Sequence, residues 1–149
     1  MSAEENKAVF RRIPEEVINT GNPDVAGEVI ASDYVEHVPY PPGMPSGLEG
    51  WKLFFTMFHT AFPDMRYTVE NILAEGDMVA MHVTARGTHQ GEFMGIAPTG
   101  SEVTWTETHI GRFENGKLAE HWGNSDDLGM MEQFGAIPET EQSEEASPT

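Results

Sequence analysis

The stretch that decides the fold runs from Gly87 to Gly135 and reads GTHQGEFMGIAPTGSEVTWTETHIGRFENGKLAEHWGNSDDLGMMEQFG. Within it, two segments of strand character, Glu102 to Phe113 and Lys117 to Ser125, meet at Asn115-Gly116. An Asn-Gly pair between two such segments is a strong short-range signal for a β-hairpin. The second segment leads to Asp126, just before a short apolar helix built on Leu128, Met131 and Phe134. The stretch therefore predicts an antiparallel hairpin that ends in a carboxylate.

The rest of the chain has helices first and strands afterwards. Apolar residues at three- and four-residue spacing predict a helix from Ala3 to Thr20, in which Pro14 should cause a kink or a break. Further elements are expected in chain order: a helix over Asp24 to Ala31, a strand over Tyr34 to Val38, a loop from Pro39 to Gly50, a helix over Trp51 to Phe62, and strands over Met65 to Leu73 and Met78 to Thr88. This order indicates the α+β class. A curved antiparallel sheet wrapped over the N-terminal helices would form a cone with an apolar cavity at its open end.

Length and composition favour one domain. The chain has 149 residues, 38% of them hydrophobic, which is enough for one core. We expect the domain to span residues 1–137 and the acidic segment 138–149, which has no large apolar residue, to be disordered. No apolar run approaches the roughly 20 residues of a membrane span, and no secretory signal opens the chain, so a cytoplasmic protein is expected. There are no cysteines, which excludes disulfides and thiol chemistry.

The charge is strongly acidic. Eight basic residues against 25 acidic ones give a formal net charge of −17. Such a chain should repel nucleic acid and anionic membranes, because both bind through Lys and Arg. Lysine is scarce, which is what a cytoplasm of high salt favours, since screening suppresses self-repulsion. The alternative is an ordinary acidic protein with an acidic tail.

Strand parity selects the candidate site residues, because alternate side chains share a face. In the first strand of the hairpin, one face carries Val103, Trp105, Glu107, His109 and Phe113. In the second strand, unless a bulge intervenes, one face carries Leu118, Glu120, Trp122, Asn124 and Asp126. With the turn at Asn115-Gly116, His109 and Asp126 are expected to line one wall of the cavity.

The chain resembles the SnoaL-like polyketide cyclases of the nuclear-transport-factor-2-like superfamily. The resemblance rests on the runs GTHQGEF-GI-PTG, RFENGKLAEHWG and D-x-x-G-M-M-x-Q-F-G, and extends upstream to Asn19-Thr20-Gly21-Asn22, Asp33-Tyr34-Val35-Glu36-His37 and Phe62-Pro63-Asp64. It implies the cone-shaped fold, a homodimer, and acid/base chemistry without a cofactor on a small apolar carbonyl compound. Aldol cyclisation of a polyketide ester is the type reaction, and isomerase or lyase chemistry would use the same pocket.

The resemblance also implies roles for individual residues. Asp126, four residues after Trp122, matches the aspartate that acts as the acid/base, and His109 matches an assisting histidine. A carboxyl group buried among Trp122 and Met side chains would have a raised pKa, which suits proton abstraction next to a carbonyl. The residues expected to bind the substrate are His37, Tyr34, Trp105, Trp122, Glu107 and Phe58.

Each candidate has a structural alternative. Asp126 could cap the last helix, a position for which Asp127 competes. His109 could be a hydrogen-bonded core histidine, and Glu107 and Glu120 could be surface partners of basic residues. The whole domain could bind a small ligand without catalysis, or serve as a homodimeric structural module. Because the six histidines form no H-x-H or H-E-x-x-H pair, no metal is predicted.

Overall fold

In the computed structural model, residues 1–136 are described. They form an α+β domain whose helices are α1 (Ala3–Arg12), α2 (Ala26–Val29), α3 (Gly47–Ala61) and α4 (Asp127–Gln133). The strands are β1 (Ile30–Glu36), β2 (Arg66–Glu75), β3 (Met78–Thr88), β4 (Glu102–Glu114) and β5 (Lys117–Ser125). The α+β class is confirmed. The expected disordered segment 138–149 lies outside the described residues.

The first helix changes its geometry at the proline. Ser2 and Glu5 form a capping box at the start of α1, which satisfies two backbone N–H groups. From Ile13–Ile18 the backbone is a π-helix, and the Asn19 N–H donates to the Pro14 carbonyl over 2.9 Å. Proline lacks the N–H that an α-helix needs and its ring clashes with the preceding turn. The predicted disturbance at Pro14 is therefore confirmed, in the form of a wider turn.

One curved sheet holds all five strands in the order β1-β5-β4-β3-β2. Strands β2 to β5 are antiparallel neighbours, whereas β1 pairs with β5 in parallel. The curved antiparallel sheet that the sequence predicts is therefore present in β2 to β5, and β1 adds a parallel edge to it. The prediction of a helix up to Ala31 was wrong, because β1 begins at Ile30, whose backbone is already extended.

The core lies between the inner face of the sheet and the helices. Phe10 and Val17 from the N-terminal helix and Phe55 from α3 pack against Val83 and Leu118 of the sheet. A second buried cluster surrounds Phe62, Trp105 and Met130 near α4. Among the described residues, no helix has the length and apolar character that crossing a membrane requires.

Candidate active site

A β-bulge between β4 and β5 decides which side chains face the core. Phe113 pairs with Leu118, but the next residue of β4, Arg112, pairs with Glu120, so Ala119 is an extra residue on β5. One extra residue reverses the alternation of side chains beyond it. The prediction that Leu118 and Glu120 share a face was therefore wrong, although the turn at Asn115-Gly116 forms as predicted.

Beyond the bulge, the inner face of β5 carries His121 and Gly123. These residues pair with Gly111 and His109 of β4, respectively. A Cβ atom at Gly123 would lie 3.1 Å from Nδ1 of His109 and 3.1 Å from Cε1 of His121. Glycine at this position therefore leaves the space in which the two imidazole rings meet.

Four acid/base side chains form a continuous chain of hydrogen bonds on this inner face. Glu107 Oε1 lies 2.8 Å from His109 Nε2, and His109 Nδ1 lies 2.9 Å from His121 Nε2. His121 Nδ1 in turn lies 2.6 Å from Glu36 Oε2. The two imidazole planes differ by 25° and their ring centroids lie 5.1 Å apart. Together with the nitrogen contact of 2.9 Å, this means that the rings meet nearly edge to edge. We call Glu107, His109, His121 and Glu36 the inner network.

The Glu107 end of the inner network is deeply buried. Its Oε2 accepts hydrogen bonds from Trp105 Nε1 over 2.6 Å and from the Tyr67 hydroxyl over 2.8 Å. Burial raises the pKa of Glu107, but the hydrogen bonds from His109, Trp105 and Tyr67 outweigh it, so the pKa lies below its usual value. Glu107 is therefore an ionised acceptor, and the prediction that it lies on the inner face is confirmed.

The Glu36 end anchors the segment that follows β1. Oε1 accepts from the hydroxyls of Tyr34 and Tyr40, and Oε2 accepts from the Val38 N–H as well as from His121. Burial raises the pKa of Glu36, and the hydrogen bonds from His121, Val38 and Tyr34 lower it further than burial raises it. Burial also raises the pKa of Tyr34, so its hydroxyl stays protonated. Both ends of the network are thus carboxylates with several donors each.

Access to the network differs along its length. The side chain of His109 is 22% exposed, whereas that of Glu107 is 8% exposed. At the other end, a cleft of about 700 Å³ lies between β1 and the segment 38–47, and Glu36, Tyr34 and Tyr40 contribute to its lining. Its volume falls in the range of small-molecule sites. Solvent therefore reaches the network at His109 and approaches it at Glu36.

Two of the predicted substrate-binding residues lie on the opposite face of the sheet. Trp122 pairs with Ile110 and stacks on His37, with ring centroids 4.8 Å apart. Glu120 accepts from Arg112 Nε over 2.9 Å and lies 2.6 Å from His37 Nε2. The bulge places Trp122 there, and the alternation of β1 places His37 there. Neither residue shares the face of His109, although His37 contributes to the lining of the cleft beside Glu36.

Asp126 caps the last helix. Its Oδ1 accepts from the Gly129 N–H over 3.0 Å at the start of α4, and the residue is exposed. The first N–H groups of a helix lack partners within it, and a preceding aspartate satisfies one of them. The predicted burial of Asp126 among Trp and Met side chains was wrong. The structural alternative, a helix cap, is confirmed, and an acid/base role for Asp126 stays a prediction.

The other predicted residues lie on the inner side. Trp105 is buried beside Glu107, Tyr34 is buried beside Glu36, and Phe58 of α3 is half-buried against Phe54 and Phe93. Among residues 1–136, no three or more His, Asp or Glu side chains are grouped so that they could hold a metal ion. The inner carboxylates and imidazoles instead bond to one another.

Sequence reasoning missed His121 and Glu36. A signal was present: the dipeptide Glu-His occurs twice, as Glu36-His37 and as Glu120-His121. In the structure Glu36 ends β1 and His37 follows it directly, while Glu120 and His121 lie on the parallel neighbour β5, with Glu36 beside His121. One member of each dipeptide points inward and the other outward. To predict that Glu36 meets His121, one would have to know that β1 pairs in parallel with β5 and that β5 carries a bulge. Local sequence pattern reveals neither.

Comparison with known proteins places the chain among cyclases. A family described as SnoaL-like polyketide cyclase matches residues 8–134. Aklanonic acid methyl ester cyclase AcmA of Streptomyces galilaeus is 31% identical, over 92% of this chain and 96% of the relative. The structure of IdmH, a proposed polyketide cyclase of Streptomyces antibioticus, is 37% identical with a TM-score of 0.77, covering 87% of this chain and 98% of IdmH. AclR, a proposed hydroxylase of Streptomyces galilaeus, is 31% identical with a TM-score of 0.83, covering 98% and 91%.

Proposed function

Because the chain belongs to the SnoaL-like polyketide cyclase family, we propose that it closes a ring in a polyketide ester by an intramolecular aldol reaction. The substrate class follows from AcmA, which is named for the methyl ester of aklanonic acid. One observation carries the proposal. His109, the accessible imidazole of the inner network, is held by a buried, ionised Glu107. A carboxylate on one ring nitrogen is how a general base is oriented. The other nitrogen, Nδ1, faces His121 Nε2 over 2.9 Å and becomes available to a substrate when the ring turns.

The proposed reaction needs only proton transfer. His109 takes a proton from the carbon next to a carbonyl group, and the electron pair of that C–H bond becomes the enolate. The enolate attacks a second carbonyl, which forms the new carbon–carbon bond and leaves an alkoxide. The alkoxide takes a proton back from the network. The protein takes one proton from the substrate and later returns one, and no electron is transferred to or from it. The inner network can therefore supply all the acid/base chemistry that the reaction needs.

The surroundings of the inner network suit an apolar substrate with a few oxygen atoms. The cleft beside Glu36 carries the hydroxyl of Tyr40, whose ring stacks on Phe54 at a centroid distance of 4.9 Å. Phe58 continues this aromatic row along α3. Aromatic walls with a few polar groups are typical of small-molecule sites. Of these aromatic residues, Tyr34 and Tyr40 line the cleft itself. We assign substrate contact to them, with Phe54 and Phe58 packed behind Tyr40 along α3, and proton transfer to His109.

Incubation with aklanonic acid methyl ester tests this function. The expected product is a cyclised isomer of unchanged mass, detected by chromatography and mass spectrometry without any added cofactor. His109→Gln serves as the control that keeps size and hydrogen bonding but removes the base. If the ester binds, as seen by quenching of tryptophan fluorescence, and is not converted, the protein is instead a ligand-binding domain of the same fold.

We also assign a role to the outer face of the sheet. Val35, Leu73 and Ile110 are exposed there, and a shallow depression lies between Leu73 and Ile110. Exposed apolar side chains on one face are typical of an association surface. This supports a homodimer formed through the outer face. Ile110→Glu should convert it to a monomer in sedimentation velocity, and an unchanged sedimentation coefficient would exclude this surface.

A further inference from the structure

The hydrogen bond between the two imidazoles requires a proton that neither carboxylate link supplies. His109 Nε2 faces Glu107 and His121 Nδ1 faces Glu36, and a carboxylate can only accept. Each of these ring nitrogens therefore carries its own proton. The remaining nitrogens, His109 Nδ1 and His121 Nε2, lie 2.9 Å apart. Two lone pairs would repel each other at that distance, so a third proton lies between them.

We propose that His109 and His121 act as one base, which holds the substrate proton at the link between their rings, and that Glu36 sets how firmly this proton is held. The inference rests on the proposed function for its catalytic part. The network alternates between a form with two protons and a form with three. With two protons, the lone pairs of His109 Nδ1 and His121 Nε2 face each other, and relief of their repulsion favours uptake of a third.

Proton balance is complete in this scheme. The ring of His109 first turns so that Nδ1 faces the substrate instead of His121. The C–H bond of the substrate then breaks, its electron pair remains on the substrate as the enolate, and the ring carries the proton back into the His109–His121 link. After the carbon–carbon bond has formed, the alkoxide oxygen takes this proton, and the link returns to two lone pairs. Neither the glutamates nor the tyrosines change their covalent state over the cycle.

The charges around the pair favour the third proton. With it, the imidazole pair carries one positive charge between two carboxylates, Glu36 and Glu107. Within residues 1–136, neither of these carboxylates accepts a hydrogen bond from Lys or Arg; their other donors are the hydroxyls of Tyr34, Tyr40 and Tyr67, the indole of Trp105 and the backbone of Val38. Within the described part of the chain, the imidazolium is therefore the only cation bonded to either carboxylate.

Glu36 is thus a positioning residue that acts through His121. Its oxygens accept from Tyr34, Tyr40, Val38 and His121, and these bonds fix the ring of His121 so that Nε2 points at His109. A merely structural role for Glu36 would be satisfied by glutamine, which keeps the shape and can still accept from His121. The proposed role needs the negative charge as well.

Histidine-selective ¹⁵N NMR tests the proposal without a substrate. It reports which ring nitrogens carry protons, with assignments from single His→Gln variants. In the wild type, three of the four ring nitrogens of the pair should carry protons at low pH, as the three links require. Two should carry them at high pH, with both imidazoles changing at one common midpoint. Independent transitions, or a link without a proton at every pH at which the protein is folded, would overturn the proposal.

Glu36→Gln should weaken binding of the third proton at least tenfold, because an adjacent negative charge is removed. The transition then moves to lower pH. Glu120→Gln is the matched control: it lies next to His121 in the chain and bonds to a histidine over the same 2.6 Å, but on the outer face. It should leave the transition unchanged. Tyr40→Phe removes a donor to Glu36 without changing charge and should also leave the proton count unchanged. Equal effects of Glu36→Gln and Glu120→Gln, or none, would overturn the proposal.

The catalytic part is tested by the pH profile of kcat/KM on aklanonic acid methyl ester. The rising limb should coincide with loss of the third proton and should move to lower pH in Glu36→Gln but not in Glu120→Gln. If the ester is not converted at all, the proposed function fails while the NMR result still decides the shared proton. If the ester is converted and the limb does not follow the NMR transition, the pair is not the base.

Discussion

The inner and outer faces of the sheet each carry a histidine–glutamate pair formed between β1 and β5. On the inner face His121 lies 2.6 Å from Glu36, and on the outer face His37 lies 2.6 Å from Glu120. The pairs arise from two Glu-His dipeptides on adjacent parallel strands, so they match in chemistry and distance. They differ in what surrounds them.

The outer pair has a permanent cation, whereas no Lys or Arg among residues 1–136 bonds to a carboxylate of the inner network. Arg112 donates to Glu120 over 2.9 Å, so this carboxylate is neutralised whether or not His37 is protonated. The side chains of His37 and Glu120 are also partly exposed, and exposed ion pairs contribute little to the free energy of unfolding. The inner carboxylates are buried and depend on protons held by imidazoles. The same two residue types thus form a surface ion pair on one face and an acid/base group on the other.

The largest expected difference between the faces is in catalysis. His109→Gln should lower kcat on aklanonic acid methyl ester by roughly 10²- to 10⁴-fold, the usual effect of losing a general base. His82→Gln, on the outer face and outside the lining of the cleft, should keep kcat near the wild-type value. Circular dichroism should show that both variants are folded. An equal loss in the two variants would mean that the face does not decide function.

Replacing the supporting carboxylates should give the next largest contrast. Glu107→Gln removes the charge that accepts from His109 Nε2, and a hydrogen bond to a charged group is worth about 1.5–3 kcal/mol. We expect kcat to fall by roughly tenfold to a hundredfold, since 1.4 kcal/mol corresponds to a factor of ten. Glu120→Gln should leave kcat unchanged. The reverse order would move the acid/base group to the outer face.

Much of the fold was predictable from the sequence because its signals are local. Alternation and turn residues predict β3 and β5 with the observed bounds, and the Asn115-Gly116 turn predicts the hairpin. Pro14 predicts the disturbance of the first helix by a covalent property of one residue. The start of β1 was missed because Ile30 follows Val29 directly, and an apolar pair is compatible with either a helix or a buried strand.

The site was less predictable because it depends on non-local pairing. His109 and Glu107 were found from their parity in one strand. His121 was missed because the extra residue Ala119 reverses parity, and a bulge has no firm sequence signature. Glu36 was missed because its partner belongs to a strand 85 positions away. Local pattern therefore reached half of the inner network.

Acid should destabilise the protein chiefly through the inner face. The folded-state pKa values of Glu36 and Glu107 lie below their usual value, because hydrogen bonds outweigh burial. A lowered folded pKa contributes stability that is present above the unfolded pKa, about 4.3, and is lost as the pH falls through the folded value.

Urea unfolding at neutral pH and at about pH 3.5, below the ordinary Glu pKa, measures this loss. Glu107→Gln should be less stable than wild type at neutral pH and should lose less on acidification. Glu120→Gln should follow the wild type more closely, since its partly exposed ion pair is screened. A wild-type loss that Glu107→Gln fully retains would contradict the assignment to Glu107.

Asp126, which belongs to neither face of the sheet, should affect stability and not catalysis. Asp126 caps α4, and Asp126→Ala should lower the free energy of unfolding by about 1 kcal/mol, whereas Asn caps as well as Asp. Asp126→Asn should therefore keep both stability and kcat. A 10²- to 10⁴-fold loss of kcat in Asp126→Asn would transfer the general base from His109 to Asp126, as the family resemblance first indicated.

The smallest expected difference between the two faces is in how the unfolding free energy responds to salt. The screening length falls from about 10 Å at 0.1 M salt to about 3 Å at 1 M, and screening acts mainly on exposed charges. With a net charge of −17, a surface adapted to salt should make the protein more stable as KCl rises, because self-repulsion is relieved.

The difference in unfolding free energy between wild type and Glu107→Gln should be the same at 0.1 M and 1 M salt, because the inner network is buried. The corresponding difference for Glu120→Gln should shrink in 1 M KCl, since its partners His37 and Arg112 are partly exposed. Stability that stays flat or falls with KCl would reject adaptation to salt, whereas equal salt sensitivity of the two variants would reject the contrast between the faces.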